Sequence, residues 1–143
     1  MAINTGRVIS GGFVTGVLMN AGDFLVNGVL MKDENNAMMK KMGIMDPDAM
    51  MSSVSKMIPF FVMDFIFGFL AIWLYALIRP RLGAGPKTAL VATFFMWATL
   101  TTMWSFFLNI DLVSMSTFIK GSGLTLVMYA IATLVGAAIY KEA

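Results

Sequence analysis

Two acidic residues, Asp23 and Asp64, lie inside long apolar stretches of the sequence. Asp23 comes eight residues before Met31, and Asp64 comes seven residues after Met57. If both stretches are helices that cross a bilayer, a rise of about 1.5 Å per residue puts both carboxyls roughly 10–12 Å below the same membrane face. Two acids at one depth could share a proton, hold a cation or act as acid and base.

Neither acid has a basic partner within the predicted spans, which contain no Lys, Arg or His. An Asp at the centre of a membrane helix costs about 2.5–3.5 kcal/mol on insertion scales, so such residues face a protein interior or a water-filled cavity. Burial and mutual repulsion both favour the neutral acid. The sequence therefore predicts a carboxyl–carboxylate or carboxyl–amide arrangement that retains at least one proton.

Other polar residues match these acids in position. Asn20 and Asn27 lie three and four residues from Asp23, which places all three on one helix face. Thr102 and Tyr129 fall at about the same depth on the last two predicted spans. The predicted polar site consists of Asp23, Asp64, Asn20, Asn27, Thr102 and Tyr129.

The same polar groups could instead hold helices together, because interhelical hydrogen bonds and small residues stabilise helix packing in membranes. Gly12 and Gly16 form a Gly-x-x-x-Gly pair on the stripe that leads to Asn20 and Asp23. Gly12, Gly16, Gly68 and Gly136 are the predicted helix-packing positions. The sequence leaves the functional and the structural interpretation open.

Four apolar segments position these residues, at about 8–31, 57–78, 88–108 and 122–140. Each is close to the 20 residues or so that a spanning helix needs. Residues 79–87 combine Pro, Gly, Arg and Lys and form a tight turn between the second and third segments. We therefore predict an all-α integral membrane four-helix bundle with antiparallel up-and-down spans, in a single domain over residues 1–143.

Composition supports a membrane protein. The 143 residues are 59% hydrophobic and 13% charged, and the mean hydropathy is +0.82. Soluble domains are about 45–50% apolar and about 25% charged. The absence of Cys and His removes disulfides, thiol chemistry and the common zinc and copper ligand sets, so no cofactor is expected. A net charge of +2 is too small to indicate nucleic-acid binding.

The loop between the first two spans, residues 32–56, is rich in methionine and has helix-start and helix-stop signals. Met39, Met42 and Met45 have spacings that could present thioethers to Cu(I). Methionines on an amphipathic segment more often rest on a membrane surface or on the bundle. No metal site is predicted, and the thioether site stays the weaker alternative.

The cationic turn at 79–87 has three basic residues and no acid, which favours the cytoplasmic side. Both chain ends lie on that side of an up-and-down bundle. The first segment is longer than the apolar core of a signal peptide and contains Asp23, so we expect it to be a retained span.

The segment RVISGG at residues 7–12, followed by Gly16, Asn20, Asp23 and Asn27, resembles the start of a group of small uncharacterised four-helix bacterial membrane proteins. This resemblance covers mainly the first helix. It implies a bacterial inner-membrane location and no particular activity.

Three functions are compatible with these patterns. The first is handling of a proton, a cation or a small solute at the intramembrane acids, in a homo-oligomer because four helices enclose little space. The second is a structural or accessory subunit of a larger membrane complex. The third, an enzyme, is not expected because the sequence has no nucleophile–base pair, metal set or phosphate loop. The lipid bilayer is the one partner common to the first two.

Overall fold

The computed structural model describes residues 3–141, and this part of the chain is helical with no strand. Its elements are α1 (Thr5–Leu25), a π-helical segment (Val26–Leu30), α2 (Lys32–Lys41), α3 (Pro47–Ser52), α4 (Val54–Leu82), α5 (Pro86–Trp104), α6 (Phe106–Asn109) and α7 (Met115–Ile139). Four helical stretches are long and apolar enough to cross a membrane: Thr5–Leu30, Val54–Leu82, Pro86–Asn109 and Met115–Ile139. The prediction of an all-helical protein with four long apolar helices is confirmed.

The last long helix begins seven residues earlier than the sequence predicts, at Met115 rather than at 122. The hydroxyl of Ser114 accepts a hydrogen bond from the Thr117 backbone N–H at 3.2 Å, which caps the helix. In the turn between α4 and α5, Gly83 and Gly85 have φ angles of 85° and 130°. These left-handed angles suit glycine and make the tight turn that leads into Pro86.

The first long helix changes its hydrogen bonding after Leu25. Within the π-helical segment, the Met31 backbone N–H donates to the carbonyl of Val26 at 2.8 Å, five residues back. The α-helical pattern would connect residues four apart. The sequence analysis did not anticipate this segment, which separates Asp23 from α2.

The loop 32–56 contains two helices. Gly43, with a φ of 88°, follows α2. The Asp46 carboxylate accepts from the Ala49 N–H at 2.9 Å and caps α3. Lys32 and Asp48 join the two helices by an ion pair of 3.1 Å, and Lys32 lowers the pKa of Asp48. Extended backbone at Ser53 separates α3 from α4, and Pro59 lies within α4.

Glycines bring α1 into backbone contact with two neighbours. A Cβ atom on Gly68 of α4 would lie 2.7 Å from the carbonyl oxygen of Gly12. On another face of α1, a Cβ on Gly11 would lie 2.8 Å from the carbonyl oxygen of Gly136 in α7. Gly16 packs against Phe65, one helical turn from the Gly12 contact. The structure thus places all four glycines singled out in the sequence at helix contacts.

The contacts between α1 and α4 follow opposite chain directions. On α1 the residue number rises from Gly12 to Gly16, while on α4 the partner's number falls from Phe69 to Phe65.

We call the end of the bundle with residues 79–87 the arginine end, and the end with α2 and α3 the α2 end. Away from these helix contacts, the long helices expose many large apolar side chains, among them Phe24, Phe94, Phe95, Val127 and Ile131.

Candidate functional site

The carboxyl groups of Asp23 and Asp64 lie within hydrogen-bonding reach of each other, between α1 and α4. Asp23 lies in the last α-helical turn of α1 and is partly buried, whereas Asp64 is only 5% exposed. An ionised carboxylate has no hydrogen to donate. A hydrogen bond between two carboxyls therefore requires one proton on the pair.

Tyr129 on α7 completes the pair's surroundings. Its side chain is buried, and it lies close enough to interact electrostatically with both acids. Among residues 3–141, the ion pairs are Lys32–Asp48 and Lys120–Glu34, and neither involves Asp23 or Asp64. Three helices thus bring two acids and a phenol together without a balancing cation from the described residues.

Apolar side chains close the pair off toward the arginine end. Met19 and Ala71 have no exposed surface, and Met128, Tyr129 and Ala132 belong to the same buried cluster. Met128 packs directly on Gly22, where a Cβ atom would overlap its side chain. A glycine next to Asp23 therefore lets α7 approach α1 at the level of the carboxyls.

Asn20 lies beside the pair and joins the same two helices. Its amide nitrogen donates to the carbonyls of Gly16 at 2.9 Å and Phe61 at 3.3 Å. Its buried Oδ1 has no hydrogen-bond partner in the part of the chain that the structure describes. Asn20 thus supports the contact between α1 and α4 and keeps one acceptor unused.

The structure does not bring Asn27 and Thr102 to the carboxyls. Asn27 is exposed on the π-helical segment and accepts from the Asn35 amide at 3.2 Å. The change of helix type at Val26 alters the rotation per residue, so the spacing from Asp23 no longer predicts its face. Thr102 is exposed on α5. The depth argument located Thr102 along the helix but carried no information about the direction of its side chain.

The sequence analysis missed several buried hydroxyls, among them those of Thr15 and Ser122. Thr15 donates to the carbonyls of Gly11 at 2.9 Å and Ala132 at 3.4 Å, and so joins α1 to α7. Its place four residues after Gly11, on a stripe of small residues, was the available signal. Ser122 is buried on α7, and its backbone carbonyl accepts from the indole N–H of Trp97 at 2.8 Å. No sequence pattern distinguished Ser122 from neighbouring small residues.

The methionines considered as thioether ligands lie in different surroundings. Met39 is buried, Met42 is exposed and Met45 is 90% exposed. Within the described residues, no group of three or more His, Cys, Asp or Glu side chains could hold a metal ion.

Comparison of the chain with protein-family models, with curated proteins and with solved structures finds no match.

Proposed function

We propose that this protein is an integral membrane protein that binds and releases a proton or a small cation at Asp23 and Asp64. The observation that carries the proposal is the close approach of two carboxyls, one of them buried, on adjacent apolar helices. Retaining acids at this position costs free energy that a purely apolar contact would avoid. Among the described residues, neither acid forms an ion pair with Lys or Arg. The charge of the two carboxyls can therefore change when they gain or lose a proton or a cation.

The proposed setting is a bilayer crossed four times by an up-and-down bundle. Four long apolar helices support it, as do the opposed residue numbers of the contacts between α1 and α4. The exposed apolar side chains of the long helices provide the surface that lipid requires. We assign the arginine end and both chain ends to the cytoplasm by the excess of basic residues in turn 79–87, and the bilayer to a bacterial inner membrane by the resemblance of the first helix.

The chemistry follows from charge balance. With one proton on the pair, the two carboxyls carry a net charge of −1. A second proton or one monovalent cation neutralises this charge, and Tyr129 lies close enough to both acids to interact with them electrostatically. Four helices enclose little space, so passage of a larger solute would require a homo-oligomer.

Infrared difference spectroscopy of the protein in nanodiscs tests the proposal. The C=O stretching band of a protonated acid is expected to lose and regain intensity as the pH is changed around neutrality and the pair releases and binds its second proton, and added sodium or potassium is expected to shift this transition if a cation competes for the pair. Asp23→Asn and Asp64→Asn should each abolish this response of the band, because one carboxyl alone cannot share a proton with an amide in the same way. Asp111→Asn, at an exposed acid outside the long helices, is the matched control and should leave it unchanged. A band of constant intensity at every pH would refute the proposal.

The alternative function, a structural or accessory subunit of a larger membrane complex, also has a supporting observation. α5 and α6 form the least covered of the four long helical stretches, and the exposed Phe95, Thr99, Thr102 and Met103 line a shallow surface groove. Affinity purification in mild detergent distinguishes the two functions. A subunit should retain stoichiometric partners, and Asp64→Asn should lower its stability without altering any proton or cation uptake.

A further inference from the structure

Charge is distributed unequally between the two ends of the bundle. At the α2 end, the basic residues are matched in number by acids: Asp33, Glu34, Asp46, Asp48 and Asp111. Two of the lysines there form ion pairs, Lys32 with Asp48 and Lys120 with Glu34. The arginine end holds as many basic residues: Arg7, Arg79, Arg81, Lys87 and Lys141. Within residues 3–141 it has no acid, so this end is strongly positive.

Contacts between the chain ends and the hairpin of α4 and α5 bring these basic residues to one surface. The Asn4 backbone N–H donates to the hydroxyl of Tyr140 at 3.3 Å. The guanidinium of Arg79 lies 5.4 Å from the centre of the Tyr140 ring. Arg7 follows Asn4 by three residues, and Lys141 is next to Tyr140. Both therefore lie near the turn 79–87.

The turn itself is held by two hydrogen bonds. The Gly85 N–H donates to the hydroxyl of Tyr75 at 3.2 Å, and the hydroxyl of Thr88 donates to the carbonyl of Gly83 at 2.6 Å. On either side of this ordered backbone, Arg81 and Lys87 are exposed and form no ion pair with the described residues. The turn thus presents two cations that are available to an anion.

Exposed apolar side chains of α4 lead to the first of these cations. Leu70, Trp73 and Leu77 are exposed at spacings of three and four, and Arg81 follows Leu77 by another four. At about 1.5 Å per residue, this stripe is roughly 16 Å long from Leu70 to Arg81. That length is close to half of the roughly 30 Å hydrocarbon core of a bilayer.

The helix α5 repeats this arrangement from the second cation. Lys87 lies in its first turn, and the exposed Val91 and Phe94 follow at spacings of four and three. Each helix of the hairpin therefore combines a cation at the arginine end with an apolar surface below it. A phospholipid has the complementary form, with a charged phosphate above apolar chains. A free anion or an acidic peptide would use the cations but not the apolar stripes.

We infer that the arginine end binds an anionic phospholipid, with its headgroup at Arg81 and Lys87 and its acyl chains along the exposed apolar residues next to them. Basic clusters beside a membrane helix attract anionic lipids by roughly 1 kcal/mol per Lys or Arg. The inference rests on the proposed membrane setting and does not depend on the chemistry of Asp23 and Asp64.

Native mass spectrometry of the full chain in an uncharged detergent tests the inference. Phosphatidylglycerol is the probe, and phosphatidylcholine with the same acyl chains is the neutral reference. We expect phosphatidylglycerol to bind about tenfold more tightly or better, and Arg81→Gln and Lys87→Gln each to weaken its binding about fivefold. Binding of phosphatidylcholine should stay unchanged in both variants.

Lys56→Gln is the matched control, because Lys56 is an exposed cation in the first turn of α4, at the balanced α2 end. Its effect should stay below about twofold. Equal binding of the two lipids, or an equal loss in Lys56→Gln and Arg81→Gln, would overturn the inference. Displacement of the lipid by inorganic phosphate at constant ionic strength would also overturn it, since the site would then recognise the phosphate alone.

Arg81 and Lys87 lie on opposite sides of the turn, so either variant can serve if the other does not fold. Asp64→Asn should leave the preference for phosphatidylglycerol unchanged. The proposed function fails on a different result, a carboxyl band of constant intensity at every pH, so the two failures are distinguishable.

Discussion

A Cβ atom on Gly68 would lie 2.5 Å from the backbone nitrogen of Gly16, so α4 and α1 touch through their main chains. Small residues allow this approach, and close packing then replaces the hydrophobic driving force that helices lack within a bilayer. The same contact fixes the position of α4 along the axis of α1. Since Asp64 lies one turn before Gly68, this contact also determines where its carboxyl meets Asp23.

Gly68→Ala is expected to lower the free energy of unfolding by about 1–3 kcal/mol, because the added methyl group meets backbone atoms that cannot move aside. Gly123→Ala is the matched control, since nothing lies within 4 Å of a Cβ placed there. That substitution should stabilise the protein by up to about 1 kcal/mol through helix propensity. Reversible unfolding in mixed micelles, followed by Trp fluorescence, measures both. Equal effects at the two positions would contradict the backbone contact.

Asp64→Leu is expected to destabilise the protein more than Asp64→Asn. Leucine leaves the Asp23 carboxyl without its partner, whereas an amide still donates a hydrogen bond to it, and an unpaired buried polar group costs about 1–3 kcal/mol. A double-mutant cycle with Asp23→Asn and Asp64→Asn measures the coupling directly, and about 0.5–3 kcal/mol is expected for residues in contact. Additive effects would show that the two carboxyls do not interact.

Lys120 lowers the pKa of Glu34 below its ordinary value of about 4.5. The ion pair therefore stabilises the docking of α2 above that pH, and the contribution is lost as the pH falls through the lowered pKa and Glu34 becomes protonated. Glu34→Gln should reduce hydrogen-exchange protection of α2 amides at neutral pH. The difference from the unaltered protein should vanish at a pH well below 4.5. Asp33→Asn, which removes the adjacent acid, should have a smaller effect, and an equally large one would contradict a specific role for the ion pair.

Tyr140 joins three parts of the arginine end. Its hydroxyl accepts from the Asn4 backbone N–H at 3.3 Å, its ring lies 5.4 Å from the guanidinium of Arg79, and it meets Tyr75 edge to face at 5.9 Å. Tyr140→Phe removes only the hydrogen bond and should cost about 0.5–1.5 kcal/mol. Tyr140→Leu also removes the cation–π and ring contacts, and should cost about 1 kcal/mol more in thermal or denaturant unfolding. Equal losses for the two variants would assign the stabilisation to the hydroxyl alone.

Hydrophobic length was enough to predict the four long helices, because a continuous apolar run has few other stable forms. Depth along those helices predicts a common level for Asp23, Asp64 and Tyr129, and the structure brings these three residues near one another. Direction around a helix axis was harder to obtain, as Thr102 shows: its depth fits, but its side chain is exposed. That direction depends on which face of α5 packs inward, and the faces of a uniformly apolar helix look alike in sequence.

The early start of α7 had a visible local signal, since Ser114 precedes Met115 as a capping residue. The π-helical segment had none comparable. The choice between four-residue and five-residue hydrogen bonding at Val26–Leu30 depends on how Met31 and Val26 fit against the rest of the bundle. Tertiary packing therefore determines which of the two hydrogen-bonding patterns this segment adopts.

The π-helical segment is equivalent to a single extra residue accommodated inside a helix, and this has a consequence for how the chain tolerates length changes. Deleting Asn27 would allow the remaining residues to form a regular α-helix, and the residues after it would keep nearly their present direction around the axis, because the deletion removes the one residue that the wider turn accommodates. Met31 and the start of α2 would then still face α7. The π-helical segment therefore lets the chain hold one residue more than a regular helix while it keeps the angular phase between Asp23 and the start of α2, and a deletion there should be less disruptive than a deletion within α1.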